Sequence, residues 1–195
     1  MRRCNLSLLV LAAFSFLHRA GSSTVVNGST VAGGLFHTCM IVADLSLRCF
    51  GGGSSDLVAT LVPTGSVERG FGNYGQIGSG DNETLGDEEG EMGSSLDPVD
   101  LDNITVQDVA AGQSHTCVVL TSGDVACWGY NYYGQLGMGD QTSRGRSTLD
   151  MGEDLDLVDL GTGRTATRIG CGQHHTCAVL DDGSLKCWGK NSDGM

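Results

Sequence analysis

A unit of sequence that recurs along this chain constrains its fold more than any other feature. Residues 112–124 read GQSHTCVVLTSGD, residues 172–184 read GQHHTCAVLDDGS, and the match continues as VACWGYN against LKCWGKN. An earlier copy, FHTCMIVADLSLRCFG, occupies residues 36–51. Because one such unit cannot bury its apolar residues alone, repeats stack on one another around a continuous core. The sequence therefore predicts a repeat architecture.

The first copy is spaced differently from the other two. His115 and His175 are 60 residues apart, whereas His37 lies 78 residues before His115. The strings G-Q-I-G and G-Q-L-G that follow the first two copies are only 59 residues apart. The first copy therefore carries about 19 extra residues, at about 52–70, which show no repeat character. A surface insertion and a retained intron both account for them.

Each copy has the pattern of a β-hairpin. In the third copy a three-residue loop, Asp-Asp-Gly at residues 181–183, separates two short runs rich in apolar residues. A loop of this length with glycine last is typical of a type I turn followed by a bulge, because glycine adopts the left-handed conformation without steric cost. This register places Cys177 opposite Cys187. The first copy has Ala-Asp-Leu at residues 43–45 and lacks the glycine.

The N-terminal residues have the pattern of a secretory signal peptide. Arg2 and Arg3 form a positive segment, residues 6–17 form an apolar run, and residues 20–22 offer small side chains for cleavage. The apolar run is too short to span a membrane. We therefore assign residues 1–22 to a signal peptide and residues 23–195 to the folded module, and we expect a secreted or extracellular protein without a membrane span.

Six cysteines form three pairs with a common spacing of ten residues. The pairs are Cys39 with Cys49, Cys117 with Cys127, and Cys177 with Cys187. In a secreted chain, this spacing and the hairpin register favour a disulfide across each hairpin. The alternative is three pairs of small buried hydrophobic residues. Cys171 has no counterpart, since Gly33 and Ala111 occupy the matching positions, and it is predicted to be an odd thiol.

Weaker strand patterns flank the hairpins. Residues 104–109 and 165–169 are predicted inner strands, and residues 99–101 and 157–160 are predicted short outer strands. Four strands in each unit is the composition of a β-propeller blade. The predicted fold class is all-β, a partial β-propeller of about three four-stranded blades, with repeat hairpins at residues 33–51, 111–139 and 171–195.

The repeat resembles that of the regulator of chromosome condensation family. The matching residues are Ala111-Gly112, His115-Thr116, Trp128-Gly129, Asn131 and residues 134–139, and the third copy matches from Gly172 to Asn191. The resemblance implies a seven-bladed ring, of which these three units are expected to be one part. The founding member of the family promotes nucleotide exchange on a nuclear Ras-like GTPase. The resemblance therefore implies an alternative function, guanine-nucleotide exchange, with such a GTPase as the partner.

Several residues recur with the repeat and are assigned to the fold rather than to a site. These positions are His37, His115, His175, Trp128, Trp188, Gly134 and Gly137. The three histidines occupy one equivalent position in each unit and would lie in different blades, which favours a structural role over a metal or catalytic one. Each tryptophan follows a cysteine of its hairpin, so it points to the opposite face of the strand and is predicted to be buried between blades.

Composition limits the classes of partner. The net charge is −12 and the chain has no basic patch, which argues against nucleic acid. The acidic stretches at residues 81–102 and 150–159 are interpreted as solvated loops. No arrangement of nucleophile, base and oxyanion donors can be named, so neither an enzyme nor a cofactor or metal site is predicted. An enzyme with its cleft at the top of the propeller is the remaining hypothesis from another class.

The function predicted from the sequence is that of an extracellular scaffold that binds a protein or a glycan through the propeller loops. Asn27, Asn82 and Asn103 each begin an N-x-S/T tripeptide outside the hairpins, and all three are candidate glycosylation sites. The sequence does not name the ligand.

Overall fold

A computed structural model describes residues 22–26, 29–51, 74–81, 83–192 and 194. Several sequence predictions fall outside these residues. They are the signal peptide apart from Ser22, the insertion at about 52–70, and the candidate glycosylation sites Asn27 and Asn82.

The described residues form ten antiparallel strands in three sheets, which we call blades. Blade 1 contains β1 (Ser22–Val26), β2 (Ser29–Gly33), β3 (His37–Ile41) and β4 (Leu47–Gly51). Blade 2 contains β5 (Val106–Ala111), β6 (His115–Leu120) and β7 (Val125–Gly129). Blade 3 contains β8 (Ala166–Cys171), β9 (His175–Leu180) and β10 (Leu185–Gly189). Helical structure among the described residues is limited to short 3₁₀ turns, so the all-β, partial-propeller prediction is confirmed.

The predicted outer strands are reduced to short extended segments. Leu157 forms an isolated bridge with Ala126, and the Val158 amide donates to the Val125 carbonyl at 2.8 Å. In blade 1 the Val99 amide donates to the Leu47 carbonyl at 2.8 Å. Pro98 has no amide proton and cannot extend that ladder. Blades 2 and 3 therefore have three full strands, and the fourth strand of blade 1 is β1, which lies at the opposite edge, beside β2.

The hairpin registers follow the predicted turns. Each cysteine faces its partner across the hairpin, and the Cα atoms are 4.1 Å apart in all three pairs, which the structure joins as disulfides. Gly123 and Gly183 adopt φ angles of 88° and 81°, in the left-handed region that the bulged turn requires. In blade 1 the same position is held by Leu45, with φ 64°. The turn geometry is thus kept even without the glycine.

The core lies between successive blades. The face of blade 2 that carries Val118 and Trp128 packs against blade 1, and the opposite face, with the Cys117–Cys127 disulfide, packs against blade 3. All residues of β6 and β7 are buried. Blade 3 differs because its disulfide face has no covering sheet among the described residues: Val179 and Leu185 are 36% and 62% exposed. Their counterparts in blade 2, Val119 and Val125, are fully buried.

Candidate functional site

The repeated histidines join one blade to the next. His37 Nε2 lies 2.8 Å from the Thr116 hydroxyl of blade 2, and that hydroxyl donates to the Gln76 carbonyl at 2.8 Å. The Trp128 indole N–H donates to the same carbonyl at 3.2 Å. Because the only proton of the Thr116 hydroxyl is used on Gln76, the hydroxyl accepts from His37, which therefore carries its proton on Nε2. The histidine, threonine and tryptophan of the repeat thus form one hydrogen-bonded junction.

The junction between blades 2 and 3 repeats this arrangement. His115 Nε2 lies 3.0 Å from the Thr176 hydroxyl, which donates to the Gln135 carbonyl at 2.9 Å. The Trp188 indole N–H donates to that carbonyl at 2.9 Å. His175 occupies the corresponding position in blade 3 and is half-buried. The structure places each histidine at a separate position along the blades, and His37 and His115 each bond to the following blade.

Burial keeps the junction histidines uncharged. It lowers the pKa of His37 to about 4 and the pKa of His115 to about 3, because a charged imidazole would lose its hydration there. Both residues are therefore neutral at physiological pH, and each neutral ring carries its single proton on the Nε2 atom that faces threonine.

The repeated turn that follows the hairpins of blades 1 and 2 also supports the fold. The Asn131 side-chain amide donates to the Asp140 carbonyl, the Asp140 carboxylate and the Thr142 carbonyl at 3.0–3.2 Å, and its oxygen accepts from the Leu136 amide at 3.0 Å. A Cβ atom added to Gly137 would lie 2.8 Å from the Trp188 indole nitrogen. The turn is therefore built to support the tryptophan of the next blade.

The acidic loop before blade 2 is organised by its own carboxylates. One oxygen of Glu91 accepts from the amides of Gly86, Asp87 and Glu88 at 2.7, 3.1 and 3.1 Å. These bonds lower the pKa of the Glu91 carboxyl. The Asp81 carboxylate similarly accepts from the Ser79 hydroxyl and the Glu83 amide. These carboxylates hold loop backbone, which agrees with solvated loops.

A cluster of tyrosines lies at one end of the blades, and it is the candidate binding site. We call it the tyrosine surface; it consists of Tyr74, Tyr130, Tyr132 and Tyr133 with His174 and Lys190. The ring centroids of Tyr74 and Tyr130 are 4.5 Å apart, and those of Tyr132 and Tyr133 are 5.1 Å apart. The His174 ring lies 4.9 Å from that of Tyr133, and the Lys190 ammonium lies 5.2 Å from the centre of the same ring.

The backbone positions this surface at the end where β7 finishes. Tyr130 directly follows β7, and its amide donates at 2.8 Å to the carbonyl of Ser114, in the loop between β5 and β6. His174 lies in the equivalent loop of blade 3. A hydrogen bond of 2.7 Å between the side chains of Gln173 and Gln113 joins the two loops. The surface therefore draws on three successive repeats.

The tyrosines differ in exposure. The Tyr132 side chain is 60% exposed, whereas Tyr74, Tyr130 and Tyr133 are half-buried. Burial and the neighbouring tyrosines raise the pKa of the Tyr130 phenol. Rings packed against one another lose little further side-chain entropy on binding and present both apolar faces and hydroxyls. The arrangement can therefore bind a ligand by packing and hydrogen bonding.

Sequence reasoning missed the tyrosine surface, although the sequence contains a signal for it. The segment after the tryptophan reads Y-N-Y-Y at residues 130–133, whereas the same segment reads F-G-N-Y at residues 71–74 and K-N-S-D at residues 190–193. The tyrosines at 130 and 132 thus depart from the repeat, although the surrounding turn keeps it. The departure at position 132, which is exposed, indicates a site, because packing alone preserves repeat symmetry.

Comparison with known families agrees with the repeat assignment. The sequence model described as "Regulator of chromosome condensation (RCC1) repeat" matches residues 106–135 and 166–194. These segments contain the strands of blades 2 and 3.

Curated relatives share parts of the chain. It is 33% identical to the ultraviolet-B receptor UVR8 of Arabidopsis thaliana over 149 residues, which are 73% of this chain and 29% of the receptor. It is 29% identical to the probable E3 ubiquitin-protein ligase HERC6 of Homo sapiens over 131 residues, which are 63% of this chain and 12% of the ligase. The chain thus spans less than a third of the length of either relative.

Solved structures show the same fold. A chain of the crystal structure of Kap60 bound to yeast RCC1 (Prp20) superposes with a TM-score of 0.54 and 17% identity, over 83% of this chain and 29% of that one. Human WBSCR16 superposes with a TM-score of 0.53 and 20% identity, over 84% of this chain and 35% of that one.

Proposed function

We propose that this chain, whose second and third blades match the RCC1 repeat model, is an extracellular scaffold whose tyrosine surface binds a protein partner. The observation that carries the proposal is this surface at one end of three successive repeats. The first two repeats supply its four tyrosines, of which Tyr132 is 60% exposed, and the third supplies His174 and Lys190. The repeated histidine, threonine and tryptophan side chains form hydrogen bonds between blades, whereas the tyrosine surface lies outside these contacts and is available to bind a partner.

The composition of the surface favours a protein over a glycan as the ligand. Tyrosine is enriched at protein interfaces, where it supplies a large contact area at a small cost in side-chain entropy. Residues 130–135 read YNYYGQ, a mixture of tyrosine, asparagine and glycine that resembles the loops of antibody binding sites. A glycan ligand, the other class considered from the sequence, becomes an outcome of the test.

Three observations support an extracellular location. The N-terminal residues have a signal-peptide pattern, and three disulfides span the hairpins, as is usual in oxidising compartments. Asn103, in a sequon, is exposed in the turn before β5, at the end of blade 2 opposite to Tyr130. A glycan on Asn103 would therefore leave the tyrosine surface free. No helix in the described part of the chain has the length and apolarity needed to cross a membrane.

Site-specific photocrosslinking tests the binding surface. A photoreactive phenylalanine analogue is placed at Tyr132 or, as the control, at Leu149, which is 74% exposed on a different loop. Each protein is irradiated with a fraction of secreted proteins and, separately, probed on a glycan array. The proposal predicts a discrete protein adduct from position 132 that is absent from position 149 and is competed by the wild-type chain. Equal labelling at both positions, or glycan binding that Tyr132→Ala abolishes, would contradict it.

Secretion is tested separately. The full chain, with its own N-terminus, is expressed in a eukaryotic host, and the medium is treated with an N-glycosidase. We expect the protein in the medium, with a glycosidase-sensitive mass that falls by one glycan in Asn103→Gln. A chain retained in the cytosol without glycans would contradict the location and would reopen the nucleotide-exchange alternative.

A further inference from the structure

An unpaired cysteine lies beside a disulfide at the junction between blades 2 and 3. Cys171 is buried at the end of β8, and its Sγ atom lies within 4.8 Å of both Cys117 Sγ and a ring nitrogen of His115. Both sulfurs contact the Thr176 hydroxyl, at 3.8 Å from Cys171 and 3.7 Å from Cys117. The Cys117–Cys127 disulfide therefore has a thiol from the neighbouring blade within reach of a side-chain rotation.

The junction between blades 1 and 2 provides an internal comparison. Cys39 Sγ lies 3.8 Å from the Thr116 hydroxyl, so the disulfide is held against the next blade in the same way. The residue that matches Cys171 there is Ala111, which is also buried. The two junctions share their histidine, threonine and disulfide, and they differ in the thiol. The thiol is therefore an addition to a junction that is complete without it.

We propose that Cys171 and the Cys117–Cys127 disulfide form an exchange site that interconverts a disulfide within blade 2 and a disulfide between blades 2 and 3. The Cys171 thiolate attacks the Sγ atom of Cys117. As the new disulfide bond between Cys117 and Cys171 forms, the disulfide bond between Cys117 and Cys127 breaks, and Cys127 leaves as a thiolate. Cys127 then takes up the proton that Cys171 released. The number of disulfides is unchanged, so the step needs neither an oxidant nor a reductant.

Burial makes the exchange slow in the closed junction. It raises the pKa of the Cys171 thiol to about 12, so the thiol is almost entirely protonated at neutral pH, and the thiolate is the attacking species. The Sγ–H group also donates to the Ala110 carbonyl at 3.6 Å. Opening of the junction would admit water and release the thiol. The exchange then joins the two blades covalently, which is independent of what the tyrosine surface binds.

A cysteine variant tests the geometry directly. Cys127→Ala leaves Cys117 and Cys171 as neighbouring thiols, and the folded protein is incubated with oxidised glutathione, which accepts the two electrons and leaves as reduced glutathione. We expect both thiols to stop reacting with an alkylating agent, because they have joined in a disulfide. Peptide mapping without reduction should then recover a peptide linked through Cys117 and Cys171. The matched control is Cys49→Ala, in which Cys39 faces Ala111 and should stay alkylatable or carry glutathione. Free or glutathionylated Cys117 and Cys171 in the first variant would overturn the proposal.

The wild-type protein gives a second measurement that does not depend on a variant folding. It is incubated at mildly alkaline pH below its unfolding temperature, quenched in acid, unfolded, alkylated and mapped. We expect the alkyl label to move in part from Cys171 to Cys127, with a matching Cys117–Cys171 peptide, and we expect Ala111→Cys to bring the same behaviour to the Cys39–Cys49 pair. A label that stays on Cys171 under all of these conditions would overturn the proposal.

Discussion

Single residues in this chain act mainly at the contacts between blades. The Thr116 hydroxyl accepts a hydrogen bond from His37 and donates one to Gln76, and the Trp128 indole shares the Gln76 carbonyl. The same three contacts recur around Thr176. The repeat thus preserves these residue types because each is half of a bond whose other half lies in a neighbouring repeat.

The buried histidines make stability fall as the solution is acidified. The folded-state pKa values of His37 and His115 are about 4 and about 3, below the ordinary value of 6.5, so the unfolded chain binds protons first as the pH falls. Their contribution is complete above about pH 6.5 and is lost progressively as the pH falls to about 4 for His37 and about 3 for His115. At pH 5 each histidine should cost about 2 kcal/mol of unfolding free energy. Urea unfolding at pH 7 and pH 5 measures this loss.

A double variant separates the histidines from the carboxylates that also titrate in acid. In His37→Asn/His115→Asn the difference between the two pH values should shrink by about 4 kcal/mol, although the variant is less stable at neutral pH because two junction bonds change. An unchanged difference would show that these histidines are not the source of the acid sensitivity.

The two tryptophans give a matched pair of substitutions. Trp128 is fully buried, whereas Trp188 is half-buried, and each donates one hydrogen bond to a glutamine carbonyl. Trp128→Ala should lower the unfolding free energy by about 3–5 kcal/mol, as for other large core truncations, and Trp188→Ala by about half as much. Chemical denaturation of the two variants provides the comparison. Equal losses would show that burial against the neighbouring blade does not set the cost.

At the scale of elements, the parts that a repeat fixes could be predicted and the parts between repeats could not. The turn at residues 181–183 and the ten-residue cysteine spacing predicted the pairing of β9 with β10, and the structure has that register. The outer strands were predicted from short apolar runs. Val158 and Leu160 are indeed buried, but Leu157 is exposed and forms only an isolated bridge with Ala126, so the segment does not become a full strand. The pairing of β1 with β2 was missed, although Asn-Gly between them is a strong hairpin signal.

The candidate site was harder to predict than the fold. The histidines and tryptophans stand out in sequence because they recur, and they prove to hold blades together. The tyrosine surface combines Tyr74, Tyr133 and Lys190, which lie in three different repeats. Their proximity depends on how blades stack, and that is set by contacts such as His115 with Thr176 rather than by local sequence.

The hairpin turns offer a test of how one blade abuts the next. Gly123 and Gly183 have nearly the same φ angle, but a Cβ atom on Gly123 would lie 2.6 Å from Thr165 Cβ, whereas one on Gly183 would meet nothing within 4 Å. Gly183→Ala should therefore cost only the backbone strain, about 1 kcal/mol. Gly123→Ala should cost about 2–4 kcal/mol, because overpacking is added to the strain. Thermal and urea unfolding of both variants measures the two losses of stability. Equal losses would show that the contact with Thr165 adds nothing to the backbone strain.

At the scale of the whole molecule, both described junctions join two different faces. The face with the histidine and the disulfide of one blade packs against the face with the threonine and the tryptophan of the next. The histidine and disulfide face of blade 1 packs against blade 2, and that of blade 2 packs against blade 3. The histidine and disulfide face of blade 3 is exposed at Val179 and Leu185. A groove of about 630 Å³ also opens beside Trp188, lined by Gly137 and Gly139. In blade 1 the corresponding glycines, Gly78 and Gly80, are covered by Met151 and Thr148.

The exposed face of blade 3 should accept one more repeat of the same kind. A test chain carries a second copy of residues 130–189 in place of residues 190–195. The copied strand face with Thr176, Ala178 and Leu180, which packs against blade 2 in the original copy, is then positioned to cover His175, Val179 and Leu185. We expect the amides of β10 to become protected from hydrogen exchange to the level of β7, because an uncovered strand opens locally more often than a buried one. The control carries Thr→Asp at the copied position of Thr176, which places a charge against His175 and the neighbouring disulfide. Exchange in β10 that is equally fast with the added repeat and with its control would show that the face does not bind a further blade.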